Sequence, residues 1–200
     1  ACIIIGVIGI SQTYEKAVQT AEKGDKEDVI KNETLKNIEV KLGAGDIVVQ
    51  KSPDASFYVK QTGDVSKQEI RITEDGDTLK VIGERKKDVS FDFSFYNFGF
   101  QTSTLTIFVP ERSYQEIKVN SAAGQIEISD VKSDRVNVGT LAGEVDLKYV
   151  TAKSVEGSTK AGEVNFKKVM GKVTAKTTSG DVYIMDHDPK YDVEASSTAG

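Results

Sequence analysis

The sequence predicts an all-β protein: a β-solenoid-like stack of two-strand repeats roughly nineteen residues long, joined to a less regular β part on its N-terminal side. Three observations carry this expectation. Gly124, Gly143, Gly162, Gly180 and Gly200 recur at spacings of 19, 19, 18 and 20 residues. Around them one short phrase repeats: SAAGQIEI from Ser121, TLAGEVDL from Thr140, TKAGEVNF from Thr159 and TTSGDVYI from Thr177, with an earlier copy, LGAGDIVV, from Leu42. Counted from the glycine, apolar residues fall at minus seven, minus five, plus two and plus four, which is period two on both sides of a turn.

Gly124 is flanked in this way by Ile117, Val119, Ile126 and Ile128, and Gly143 by Val136, Val138, Val145 and Leu147. Gly45 fits as well, with Ile38, Val40, Ile47 and Val49. At plus seven stand Val131, Val150 and Val169, then His187. One face of each strand is therefore apolar and points the same way in every repeat. A glycine suits the turn because it takes positive φ without a Cβ clash. The small column Ala123, Ala142, Ala161, Ser179 and Ala199 reads as stacked turns with little room between them. The hydroxyl column Ser121, Thr140, Thr159, Thr177 and Ser197 is placed to hydrogen-bond between repeats. A repeat this short cannot bury its apolar face alone, so it stacks on its neighbours. The alternative architecture is an antiparallel β-sandwich in which each glycine is a hairpin turn.

Upstream, strands are expected at Phe57 to Gln61, Glu69 to Thr73, Thr78 to Ile82 and Thr104 to Val109. Residues 37–200 then read as a single β-domain, with irregular strands over 37–110 and the glycine-anchored repeats over 111–200. Residues 11–36, polar and mixed in charge, read as a stalk. Residues 1–10, ACIIIGVIGI, carry no charge and read as the trailing part of a membrane anchor or signal segment, because a full helical span needs about 20 apolar residues. A buried β-strand is the competing assignment, favoured by the β-branched Ile3, Ile4, Ile5, Val7 and Ile8; lipid modification of Cys2 is a third.

Composition narrows the function. Thirty-one acidic against 26 basic residues give a net charge of −5, with no basic cluster large enough to neutralise several phosphates, which argues against a nucleic-acid partner. The single cysteine, Cys2, makes no internal disulfide.

The stretch LTIFVPERSYQEIKVNSAAGQIEIS, from Leu105 to Ser129, followed by glycine-anchored copies, resembles the bacterial envelope proteins catalogued as adhesins, of the LiaG-like type, a β-solenoid domain of unknown function. The likeness runs over roughly Leu35 to Gly200. It implies a membrane anchor near one end, a β-solenoid-like domain outside the cell membrane, and binding or scaffolding at the envelope, often alongside envelope stress responses. It supplies no catalytic residues and no cofactor.

Four groups of residues merit weighing as chemistry. Ser129 to Lys132 spells S-x-x-K, but that nucleophile works from a helix start, and here it follows a strand, so it reads as coincidence. Asp186-His187-Asp188 holds one imidazole and adjacent carboxylates without the spaced ligands of a metal centre, and reads as a solvated turn. Asn32-Glu33-Thr34 matches a glycosylation string that is without meaning in a bacterial host. The column Asp46, Gln125, Glu144, Glu163 and Asp181, with Asp146 beside it, would repel itself unless lysines, water or a hard cation intervene; screening by Lys148, Lys160 and Lys167 is the expected state, and no metal is assigned.

The candidate contact surface is the aromatic run Phe91, Phe93, Phe95, Tyr96, Phe98 and Phe100, downstream of Arg85-Lys86-Lys87. It reads either as a plug on the end of the β-core or as an exposed tip for a protein, lipid or glycan of the envelope. The expected function is thus a non-enzymatic, extracytoplasmic binding or scaffold domain, membrane-anchored through its N-terminal segment. A polysaccharide-processing β-helix enzyme and a regulatory domain docking a membrane partner are the alternatives. A bare β-edge at the C-terminal end would allow a homo-oligomer.

Overall fold

The structure is a computed structural model describing residues 26–63, 68–85 and 103–199. Among the described residues, sixteen strands are divided between two eight-stranded sheets. The glycine-anchored part supplies five long strands to one sheet, β8 (Ser113–Ala123), β10 (Lys132–Ala142), β12 (Thr151–Ala161), β14 (Met170–Ser179) and β16 (Val193–Ala199). Between them the chain crosses to the other sheet as β9 (Ile126–Ser129), β11 (Val145–Lys148), β13 (Val164–Lys167) and β15 (Val182–Met185). Each long strand and the short strand that follows it form one rung. Rung stacks on rung with parallel, in-register pairing: Val136 lies between Ile117 and Val155, and Val145 between Ile126 and Val164. This is the solenoid-like stack, and the parallel ladders exclude a hairpin-built sandwich.

The spacing of 18 between Gly162 and Gly180 has a local cause. Ala152 and Lys153 lie opposite the single residue Gly171, a bulge of two residues against one. Gly171 has φ +131°, and a Cβ there would stand 1.8 Å from the Ala152 carbonyl oxygen, so only glycine closes the shorter rung.

The upstream strands are more regular than their sequence suggests. β2 (Asn37–Leu42) and β3 (Asp46–Lys51) form a complete rung around Gly45, as do β6 (Thr78–Arg85) and β7 (Thr104–Val109). Their order in space departs from their order in the chain: β2 lies between β6 and β8, and β3 between β7 and β9. Antiparallel strands close this end of the stack. β5 (Gln68–Asp75) pairs with β6, and β4 (Phe57–Thr62) bridges β7 and β1 (Lys26–Ile30). β1 falls inside the stretch 11–36 expected as a stalk, and there the chain is already an edge strand. Its sequence, KEDVI, is too short and too charged to show a period.

The two inner faces meet in one continuous core running from Leu35 to Ala175. Volume is traded within a rung. Phe166 is fully buried, and the facing Gly157 makes room for it: a Cβ on Gly157 would come within 2.5 Å of the ring. At the capped end the Arg112 guanidinium lies over Phe57 and Tyr114, 5.1 and 5.4 Å from their ring centroids. It donates to the Glu33 and Asn32 carbonyls, tying the β1–β2 connection to the stack.

Candidate binding surfaces

The geometry begins at the corners. At the glycine corner, Gly124, Gly143, Gly162 and Gly180 have φ between +121° and +141°, and each backbone lies on the carbonyl of the glycine one rung before. A Cβ on Gly143 would sit 2.1 Å from Gly124 O, and one on Gly162 2.1 Å from Gly143 O. The hydroxyl column completes this stack. Thr159, Thr177 and Ser197 donate to the carbonyls of Gly143, Gly162 and Gly180, at 3.0, 3.0 and 2.8 Å, while Ser121 and Thr140 donate within their own rung. The small column is explained differently from the sequence reading. Ala123, Ala142, Ala161, Ser179 and Ala199 point to solvent, and what each contributes is a backbone carbonyl that accepts from the preceding glycine N–H, as in Gly143 N to Ala161 O at 2.9 Å. Stacking does not limit their size.

The second corner carries a column that sequence reasoning missed. Asp130, Tyr149, Lys168 and Asp186 all take left-handed backbone with φ of 54° to 57°. Three residue types share one conformation, and inter-rung main-chain bonds hold the first three positions in it: Asp130 N to Lys148 O, Tyr149 N to Lys167 O and Lys168 N to Met185 O. No common residue type marks the position, so no consensus was visible. Asp130 lies between Ser129 and Lys132, which end β9 and begin β10; the S-x-x-K string spans a β-corner and has no helix to align it. Along this corner Tyr149, Thr151, Lys168, Met170, Asp186 and His187 border an open hollow of about 500 Å³, with Lys168 Nζ 5.3 Å from the centre of the Tyr149 ring.

His187 continues the column of buried valines Val131, Val150 and Val169. Its Nδ1 lies 2.8 Å from the Val169 carbonyl oxygen. Asp188 is held by Lys190 Nζ at 2.8 Å and by the Lys190 N–H at 3.1 Å; the Lys190 hydrogen bond lowers its carboxyl below the ordinary range. Histidine and carboxylate thus face different partners. Among the described residues, no group of three or more His, Cys, Asp or Glu is placed to hold a metal ion. Asn32 forms a local turn, accepting from the N–H and hydroxyl of Thr34 at 2.9 and 2.7 Å.

The acidic column is interleaved with amides and a lysine. Gln125 N–H donates to Asp46 at 2.9 Å, and Gln125 Nε2 to Asp146 at 2.5 Å. Asn165 Nδ2 donates to Glu144, and Lys148 reaches Glu127 at 3.0 Å. Partial burial, then the nearby Asp146 carboxylate, push the Glu144 carboxyl up against a weaker lowering by Asn165. A raised carboxyl pKa means that the fold binds this proton more tightly than the unfolded chain does. Ionised Glu144 therefore subtracts from stability at neutral pH, and the loss is recovered as pH falls through the raised value. Glu144→Gln is expected to leave the melting temperature at pH 7 unchanged or slightly higher, with the difference vanishing at acid pH. Millimolar calcium is expected to move it by no more than about 1 °C. A larger rise, abolished by Glu144→Gln with Glu163→Gln, would place an ion between the rungs.

Beside the glycine corner, the outer face of the long-strand sheet carries a shallow trough of about 620 Å³. Its floor is the column at minus four from each glycine, Asn120, Gly139, Ser158, Lys176 and Ser196, and its rim includes Leu141, Lys160, Thr178 and Thr198. Gly139 leaves a dip between Asn120 Oδ1 and Ser158 Oγ. The polar groups of Asn120, Ser158, Lys176 and Ser196 therefore line the floor on strands about 4.8 Å apart, with the gap at Gly139. The repeat contains this column, but its residue types differ from rung to rung and show no consensus. The aromatic run Phe91 to Phe100 and the N-terminal residues 1–10 lie outside the described residues. Among the described residues no helix is long and apolar enough to cross a membrane.

A parallel two-sheet stack with glycine-closed corners and polar outer faces defines a β-solenoid-like protein whose distinctive surfaces are repetitive. The chain belongs to the Toastrack DUF4097 family, whose model matches residues 35–197. Two similar solved structures are the "putative cell adhesion protein" of Clostridium sporogenes, 11% identical over 88% of this chain and 100% of that one with a TM-score of 0.51, and the "putative adhesin" of Bacteroides fragilis, 14% identical over 88% and 98% with a TM-score of 0.40. At 11% identity the likeness to the Clostridium structure is one of fold. A comparison with curated proteins matched none.

Proposed function

We propose that this chain is a non-enzymatic binding domain acting outside the bacterial cell membrane, held there by its N-terminal segment, and that the trough beside the glycine corner is its binding face for an extended polar polymer of the envelope, such as a cell-wall glycan. One observation carries the reading: four of five successive rungs set an amide, hydroxyl or ammonium group on the floor of an open trough. A rigid repeating surface suits a repeating ligand, as in other solenoids, whereas a small-molecule site is concave and mostly apolar. The name of the Clostridium structure agrees with a role in adhesion.

Co-sedimentation with purified cell wall tests this. Lys160→Glu with Thr178→Glu reverses the rim charge at one exposed position and adds a negative charge at another, and is expected to weaken wall binding on the order of tenfold, more at low salt, without changing the melting temperature. Unchanged wall binding would discard the trough, and release of soluble wall fragments would favour an enzyme. The aromatic run has a separate arm, motivated by five of the eight phenylalanines falling between Phe91 and Phe100. As a membrane-facing tip, Phe95→Ser with Phe98→Ser should reduce binding to anionic liposomes at an unchanged melting temperature. A loss of several degrees would instead make these rings part of the core.

A further inference from the structure

Three glycines stand inside the long strands β8, β10, β12 and β14: Gly139, Gly157 and Gly171. Two of them are forced by their surroundings, Gly157 by the Phe166 ring and Gly171 by the Ala152 carbonyl. Gly139 is not. Its φ lies outside the left-handed region, and a Cβ there would meet only the ends of two side chains, Asn120 Oδ1 at 3.2 Å and Ser158 Oγ at 3.5 Å, which can turn aside. Glycine weakens a strand interior, and one that packing does not require marks a place where something approaches the backbone closely. The groups around this gap are available to a ligand. Among the described residues, neither the Asn120 carboxamide nor the Ser158 hydroxyl is engaged in a hydrogen bond with the protein. Two residues along the same face of β10, Leu141 is 52% exposed, the one large apolar side chain among the described residues lining the trough.

We propose that the dip over Gly139 receives the acetamido group of an N-acetylated amino sugar, so that the polymer in the trough is a glycan containing N-acetylhexosamine. This rests on the trough as the binding face and names the group it recognises. Asn120 and Ser158 face the gap from opposite sides, because they stand on β8 and β12 in register with Gly139 on β10 between them. A planar amide seated on the Gly139 backbone answers both at once: its N–H donates to Asn120 Oδ1, and its carbonyl oxygen accepts from the Ser158 hydroxyl. Its methyl group is then left for Leu141, which otherwise stays in water. A sugar hydroxyl in the same place would fill less of the dip and leave Leu141 uncovered. A carboxylate has no N–H for Asn120 Oδ1 and would set acceptor against acceptor. A side chain at position 139 would occupy the place of the amide.

The test uses the 200-residue chain with three probes: soluble N-acetylglucosamine oligomers, glucose oligomers of the same linkage and length, and purified cell wall. By titration calorimetry the N-acetylated oligomer should bind about tenfold more tightly than the glucose one. Gly139→Val should erase that preference and weaken wall co-sedimentation about tenfold, while the melting temperature stays the same or rises, because valine suits a strand interior better than glycine does. Leu141→Ser, a change on an exposed side chain, should reduce the preference at an unchanged melting temperature, and it decides the matter if Gly139→Val folds poorly. Equal binding of the two oligomers, binding of neither, or a preference that survives both substitutions would overturn the proposal. The trough itself fails in a different way. Wall binding that responds to Lys160→Glu with Thr178→Glu but not to Gly139→Val retains the trough and overturns the acetamido site, whereas wall binding indifferent to all of them discards both.

Discussion

Gly143→Ala is expected to destabilise the protein by on the order of 3–5 kcal/mol, although it adds only one methyl group. Two costs combine. The backbone at Gly143 has φ +141°, a conformation that L residues with a Cβ rarely adopt. The new Cβ would also stand 2.1 Å from the Gly124 carbonyl oxygen. That oxygen belongs to a main chain fixed by inter-rung bonds, Gly124 N to Ala142 O among them, so it cannot step aside as a side chain would. In a chain of this size such a loss lowers the melting temperature by roughly 10 °C or more. The neighbouring Ala142→Gly is the control: its side chain is exposed, and it should cost about 1 kcal/mol or less. Thermal melts of the pair check both. Equal effects would mean that the glycine corner is not the tight element of the stack.

The second large effect is expected at Val145→Asp. Val145 is fully buried and lies in register between Ile126 and Val164, so an aspartate there faces hydrocarbon above and below. Without a partner its carboxylate must stay charged or take up a proton in the core, at a cost of several kcal/mol either way. Loss of cooperative unfolding, or of soluble protein, is the expected outcome, while the adjacent Glu144→Gln stays near neutral. The contrast reads the register directly, since a slip of one residue exchanges the two faces. A tolerated Val145→Asp would show that this register is wrong.

How far the sequence revealed the fold depended on whether a residue type was forced. The glycine corner was legible because only glycine fits it, and the inward columns because apolar burial repeats at period two. The second corner was not, since inter-rung bonds hold Asp130, Tyr149 and Lys168 in the conformation that Asp186 shares, whatever their side chains. Nor was the exchange of volume between Gly157 and Phe166, which interrupts the apolar column at one point and is made up across the rung. The upstream half was obscured because β6 and β7 are joined through residues 86–103 and not by a short glycine turn. The rung they form lost its signature, and with it any hint that β2 lies between β6 and β8. As for candidate surfaces, the aromatic run stood out by composition, whereas the polar trough is built of ordinary surface residues whose meaning comes from stacking.

That exchange of order offers the most direct test of the stack. On the outer face of the long-strand sheet, Lys80, Glu39, Lys118, Asn137, Glu156, Thr174 and Glu194 lie side by side in that sequence. With neighbouring strands about 4.8 Å apart, Glu194 is separated from Lys118 by roughly 19 Å, from Glu39 by roughly 24 Å and from Lys80 by roughly 29 Å. Pulsed electron-spin distances between labels at Glu194 and at each of these three positions, in a Cys2→Ser background diluted with unlabelled protein, should increase in that order, with Lys80 the most distant. A stack following the chain would make Glu39 the most distant and Lys80 intermediate, and that result would contradict the structure.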